Sequence, residues 1–263
     1  MSLTGKSPSE TYKDITYVDN DNNGVTTTLK QVKTGNGSNT ALQVSDRSLQ
    51  VKSATDNVDA FAVRNSANRD QFLVDTTNSA VYAAGHHVNT MYKDFGVYDF
   101  GGITQNYYYT LPCNMMMSAN DAYEPHNSIM GTSPATSLDI SSITSLGAEN
   151  LVASMWYLPD NITIDAAKVF VTSSGHDINC KIFSYDFVEG QGSTGGDLSN
   201  GTQICTGPTG GDIAAASNSI GTQALTISSA NVTAGKVVLA MVKNCTGTNR
   251  FTARIQIKYH ITG

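Results

Sequence analysis

Two carboxylates held about 5–10 Å apart can cut a glycosidic bond, one as acid and the other as base or nucleophile. Asp160, Asp165, Asp177, Asp186 and Glu189 could supply them, but no local spacing favours one pair. The sequence has no Gly-x-Ser-x-Gly elbow and no His-Glu-x-x-His helix. No catalytic residue is therefore assigned, and the chain is read as a non-enzyme.

Asp19-x-Asp21-x-Asn23-Gly24 matches the first half of an EF-hand loop, where alternate oxygens converge on Ca²⁺. The twelfth position should be a bidentate Glu; it is Lys30, a cation where the ion needs an anion. A plain turn is expected. Gly190-x-Gly192-x-x-Gly195 spells a dinucleotide fingerprint, which works only if a helix starts there and holds a pyrophosphate at its N-terminus. The continuation Gly196-Asp197-Leu198-Ser199-Asn200-Gly201 reads as a loop, so no cofactor is expected.

His176 and Cys180 would share a strand face about 13 Å apart at the standard rise, too far for one ion. His86 and His87 would point to opposite faces of a strand. One His per chain around a threefold axis is the metal geometry left open. Surface or interface histidines are the simpler reading, and no metal ligand is assigned. Met115-Met116-Met117 and Tyr107-Tyr108-Tyr109 are interface-prone residue types, read as buried within or between protomers. Cys113, Cys180, Cys205 and Cys245 form no CxxC pair and are read as free thiols.

The elements carrying these residues are strands. Only 14% of the 263 residues are charged, and Glu occurs only at Glu10, Glu124, Glu149 and Glu189. Thr, Val and Tyr, which fit a pleated surface, outweigh the straight-chain helix formers. An almost wholly β chain is expected. The formal charge of −6 argues against nucleic acid, which needs a basic face. No run of about 18 apolar residues exists to span a membrane. The opening Met1-Ser2-Leu3-Thr4-Gly5-Lys6 lacks a signal peptide's apolar core, so synthesis in a cytoplasm is expected. The sequons at Asn36, Asn161, Asn231 and Asn244 then carry little weight.

Between residues 41 and 83 an apolar-x-apolar unit recurs five times: Leu42-Gln43-Val44, Leu49-Gln50-Val51, Phe61-Ala62-Val63, Phe72-Leu73-Val74 and Val81-Tyr82-Ala83. Period-two alternation puts both apolar residues of a unit on one face of a short strand. Five such strands offer only about ten inward side chains, too few for a core closed within one chain. Copies of the chain could close it. Leu42, Val44, Leu49, Val51, Phe61, Val63, Phe72, Val74 and Val81 are thus the candidates for an inter-chain core.

Longer strands are expected near Tyr107–Leu111, Leu151–Tyr157, Ile162–Thr172, Asn179–Phe187, Thr202–Cys205, Thr222–Ser228, Lys236–Lys243 and Phe251–Ile261. The last alternates Phe251, Ala253, Ile255, Ile257, Tyr259 and Ile261 with polar residues. The run Val237-Val238-Leu239-Ala240-Met241-Val242 predicts a strand covered on both faces. About eight strands between Gly-rich loops point to a β-sandwich of jelly-roll type. Residues 113–150 have no clear reading beyond room for a short helix.

The segment Gly5-Lys6-Ser7-Pro8-Ser9-Glu10-Thr11-Tyr12-Lys13-Asp14-Ile15, the Asn22-Asn23-Gly24 turn and Thr40-Ala41-Leu42-Gln43-Val44-Ser45 resemble the N-termini of fibre and appendage proteins of tailed bacteriophages, marine and cyanobacterial ones especially. The apolar-x-Val units are similar to the trimeric shafts of such fibres. Trp156-Tyr157-Leu158-Pro159, Ala234-Gly235-Lys236-Val237-Val238 and Tyr259-His260-Ile261 are similar to their β-sandwich tips.

The resemblance implies a virion-attachment segment over 1–40, with Tyr12, Ile15, Tyr17 and Val18 as its candidates. It further implies an intertwined trimeric shaft over 41–85, a connector over 86–103 and a β-sandwich head over 104–263. The implied partners are two further copies of the chain, other virion proteins, and a host-surface glycan or protein met by head loops. The implied role is a phage tail fibre or appendage in the virion. A capsid decoration protein is the alternative, and a polysaccharide-degrading tailspike hydrolase a more distant one.

Overall fold

The computed structural model describes residues 16–21, 23–101, 104–113, 116–118, 130–139, 147–173, 175–190, 195–207, 212–215, 219–247 and 250–262. Nearly all the described regular structure is β, in several antiparallel sheets. The chain divides into two compact units, Met1–Val88 and Asn89–Gly263.

The first unit holds two four-stranded sheets in chain order. One comprises β1 (Thr16–Val18), β2 (Lys30–Thr34), β3 (Asn39–Val44) and β4 (Leu49–Val51). The other comprises β5 (Phe61–Arg64), β6 (Asp70–Asp75), β7 (Ala80–Ala83) and β8 (His86–His87). Every strand pairs antiparallel with its sequence neighbour. Short polar turns make this local pairing the cheapest one in chain entropy. At one of them Asn68 takes a left-handed φ of 58° and donates its N–H to the Asn65 carbonyl at 2.9 Å. The hydrogen bonds of these ladders run between neighbouring strands of the chain.

The second unit opens with β9 (Thr90–Phe100), β10 (Tyr108–Thr110) and β11 (Met116–Ser118), followed by helix α1 (Gly147–Ser154). Then come β12 (Trp156–Tyr157), β13 (Ile162–Ser173), β14 (His176–Phe187), β15 (Leu198–Thr206), β16 (Ile213–Ala215) and β17 (Gly221–Ala224). The chain ends with β18 (Thr226–Ile227), β19 (Asn231–Val232), β20 (Lys236–Asn244) and β21 (Phe251–Ile261). One sheet runs β11-β9-β21-β13-β17 and the other β10-β20-β14-β15-β18. Counting the eight principal strands β9, β10, β13, β14, β15, β17, β20 and β21 as 1 to 8, the sheets read 1-8-3-6 and 2-7-4-5.

A single apolar cluster joins the facing sides of these sheets. Phe95, Val169, Ala253 and Ile255 come from one, and Cys180, Ile182, Ala240 and Val242 from the other. The far side of the second sheet is also covered. Tyr108, Phe183, Tyr185, Leu239 and Met241 pack there with Met130 and with Leu151 of α1. This accounts for the unbroken apolar run of β20, whose residues Val237 to Val242 are all buried.

Two expectations change. Leu151–Ser154 is the end of α1 rather than a strand, because Leu151 has a sheet face to cover and not a ladder to join. Residues 90–100, expected within a connector, form β9, which pairs with β21 along most of its length. Its inward residues Phe95 and Val97 are fully buried.

Candidate functional site

The candidate site is the pair of apolar faces on the two sheets of the first unit. Ladder register puts the repeat residues side by side: Leu42 opposite Val51, Val44 opposite Leu49, Phe61 opposite Val74, Val63 opposite Phe72, and Val74 opposite Val81. Directly opposed residues project to the same side of a sheet. The two repeat sets therefore build one apolar face on each sheet. The Phe61 and Phe72 rings meet edge-on at 6.2 Å between centroids.

Among the described residues nothing covers these faces. Leu49 is 67% exposed, Val63 48%, Phe61 44% and Phe72 38%. Val44, Val74 and Val81 are half-buried by their neighbours alone. Large apolar side chains clustered on one face and left in water mark an interaction surface. Full burial of such a side chain is worth about 1.5–3 kcal/mol relative to full exposure, and these have roughly half of that still to gain.

The reverse of the first sheet is polar. Gln31, Gln43 and Gln50 lie in one row across three strands. Gln43 donates to the Gln31 side-chain oxygen at 3.2 Å, and Gln31 donates to the Leu42 carbonyl at 3.0 Å.

Tyr17 and Val18, expected in an attachment segment, lie in β1 opposite Lys33 and Val32. Tyr12 and Ile15 fall outside the described residues. Asp19 pairs with Lys33 at 2.6 Å, and the Asn20 side chain donates to the Gly24 carbonyl at 2.7 Å, the bonding of a turn. The glycine-rich stretch lies between β14 and β15, and Gly196 donates its N–H to the Val188 carbonyl at 2.8 Å. No helix among the described residues starts there. His86 pairs with Ala83 and His87 with Tyr82, so their side chains leave opposite faces. The His87 ring lies against Tyr82 at 4.4 Å between centroids.

Three of the five carboxylates considered for hydrolysis, Asp165, Asp186 and Glu189, have side-chain partners. Asp186 bonds Lys236 and takes the Asn200 amide at 2.7 Å. Lys236 chiefly, then Asn200, holds the Asp186 carboxyl below its ordinary range, the opposite of what a general acid needs. Tyr157 donates its hydroxyl to Glu189 at 2.7 Å, and Asp165 lies 2.9 Å from His260 Nδ1. All four cysteines are free, with Cys180 and Cys205 buried. Burial pushes the Cys205 thiol up to about 12, which leaves it inert as a nucleophile.

Sequence reasoning missed the outer face of the β9-β21-β13-β17 sheet. Tyr92, Tyr98, Phe170 and Arg254 lie on it. Arg254 stands opposite Gly96 on one side and Phe170 on the other. The alternation of Tyr92, Asp94, Gly96 and Tyr98 with Met91, Lys93, Phe95 and Val97 was the available signal.

No family model matches the chain, and no curated protein does. Among solved structures the chain is similar to one chain in "Structure of infectious bursal disease virus Gx strain". The likeness has 8% identity and a TM-score of 0.27, covering 70% of this chain and 35% of that one. A TM-score this low establishes no shared fold, and the chain spans about a third of its neighbour's length.

Proposed function

We propose that the chain is a subunit of a trimeric fibre or appendage of a tailed-phage virion, and that it attaches the particle to its host cell. The observation that carries this reading is the pair of exposed apolar faces that register builds, one on each sheet, from Leu42, Val44, Leu49 and Val51 and from Phe61, Val63, Phe72, Val74 and Val81. Three copies packing these faces together would bury what one copy leaves in water. The ladders stay within each chain, and side chains rather than exchanged strands form the shared core. The strand orders 1-8-3-6 and 2-7-4-5 support reading the second unit as a jelly roll, a two-sheet design used by viral capsid and lectin domains.

In this reading residues 1–40 join the trimer to another virion protein, and the second unit meets the host surface. Three identical binding sites on one assembly raise avidity without any new contact. The test is to incubate the purified, labelled protein with host cells and with isolated capsids. Retention on cells is the expected result. Retention on capsids alone would make the chain a decoration protein, and retention on neither would overturn both assignments.

A further inference from the structure

On the outer face of the β9-β21-β13-β17 sheet lies a cavity of about 130 Å³ lined by Phe170, Val171, Thr172, Ile220, Thr252 and Arg254. Its walls are mainly the Phe170 ring, the Ile220 side chain and the aliphatic parts of its neighbours. Ile220 is 73% exposed, a large apolar side chain at the rim that no described residue covers. A cavity this size falls well below the roughly 300–1,000 Å³ that enclose a whole small molecule. It takes one ring or one side group of a larger ligand.

The polar groups beside it are held in place. Arg254 donates from Nε and Nη2 to Asp94 Oδ1, both at 2.9 Å. Gln256 reaches the same oxygen at 3.3 Å. A guanidinium has five N–H donors, so fixing it through two leaves a pre-set fork at the cavity rim. Lys168, one register position along, lies 5.3 Å from the Phe170 ring centroid. Lys258 opposes Tyr92. Among the described residues neither lysine has a carboxylate partner. Two unpaired cations on one face of a chain whose formal charge is −6 favour an anionic ligand there.

Tyr92 and Tyr98 stand on the same face, 61% and 57% exposed. They are six residues apart on β9, about 20 Å at the strand rise. Exposed rings flanking fixed planar donors suit a ligand that is apolar on one face and polar around its edge, and longer than one ring. A pyranose chain has that form. The CH-rich face of a sugar packs on rings as any apolar surface does, and a sugar carboxylate matches the fork of Arg254.

We propose that this face binds an acidic polysaccharide, with one uronic-acid-like residue seated in the Phe170–Ile220 cavity, its carboxylate met by Arg254 and Lys168. This rests on the adhesion reading above and gives it a place and a ligand class. The face is borne on strands rather than on the loops expected from sequence.

The test uses the full-length protein on an array of acidic and neutral bacterial glycans, alongside binding to host cells. The expected result is retention of uronic-acid polymers over neutral polymers of equal length by at least tenfold, weakening as salt rises. Lys168→Gln and Phe170→Ala should each lower retention about tenfold at unchanged solution mass. Cell binding without acidic-glycan binding, or glycan binding unmoved by both variants, would overturn this site and leave the adhesion reading standing. Loss of both cell and glycan binding in the wild type would overturn the two together. An Ile220→Asp variant that changes the solution mass would show instead that copies of the chain bury this face against each other.

Discussion

Val63 and Phe72 stand directly opposite each other across the β5–β6 ladder, and they remain 48% and 38% exposed. A cross-strand apolar pair on an open face has lost chain entropy for only part of its possible burial. The pair becomes favourable when a second surface covers it. Val63→Asp would place one carboxylate per chain on that surface, and burying a charge costs several kcal/mol even after relaxation. Sedimentation velocity should show the variant as a monomer, while Gln50→Ala on the polar side keeps the assembly. An assembled Val63→Asp protein would exclude this face from the interface.

Ile255 is fully buried between Phe95 on β9 and Val169 on β13. Ile255→Ala should lower stability by about 2–5 kcal/mol, read as a drop in the urea midpoint at unchanged oligomer mass. A loss below about 0.5 kcal/mol would mean that the two sheets do not share this core.

At Gly201 the backbone passes close under another segment. Its N–H donates to the Thr136 carbonyl at 2.8 Å, and an added Cβ would meet the Tyr185 ring at 2.5 Å and Thr136 Cα at 2.9 Å. Gly201→Ala should destabilise by about 1–3 kcal/mol, the usual cost of overpacking. The near-ultraviolet tyrosine signal should change with it. A neutral substitution would place residues 130–139 elsewhere than on this sheet.

Stability should fall at alkaline pH. Burial pushes the Cys205 thiol from 9.0 up to about 12, and burial followed by Asp212 does the same at Cys245. Burial raises Cys180, Tyr108 and Tyr185 as well. Each group keeps its proton in the fold and loses it sooner when unfolded, so the native state binds more protons above about pH 9. The urea midpoint should therefore hold steady up to about pH 9 and decline between about 9 and 12. A midpoint flat across that window would contradict the burial of these groups.

Strand periodicity was legible where one face is buried and the other wet. The alternation of β21 holds from Phe251 to Ile257 as the sequence reads and fails at its end, where His260 is buried and Ile261 is exposed; the apolar run of β20 announces its two covered faces. The repeat units between 41 and 83 all fall in strands, because alternation and polar turns agree there. Helix α1 was not legible: at eight residues it spans about two turns, and Leu151, Val152 and Ala153 in succession look the same in either period. β9 was hidden by its mixture of Tyr, Lys, Asp and Gly, whose polar half faces water. Its pairing with β21 joins residues far apart in the chain, which no local pattern specifies. The Phe170–Ile220 cavity was invisible for the same reason, since register alone brings Arg254 beside Phe170.

The central claim is that copies of the chain cover one another's apolar faces in the first unit. Light scattering on the purified chain, coupled to size exclusion, tests it most directly. The account predicts a single species at three times the chain mass of 27.9 kDa, unchanged on dilution through the micromolar range. A stable monomer at the same concentrations would contradict it, leaving Leu49, Phe61, Val63 and Phe72 in water and the fibre reading without its physical basis.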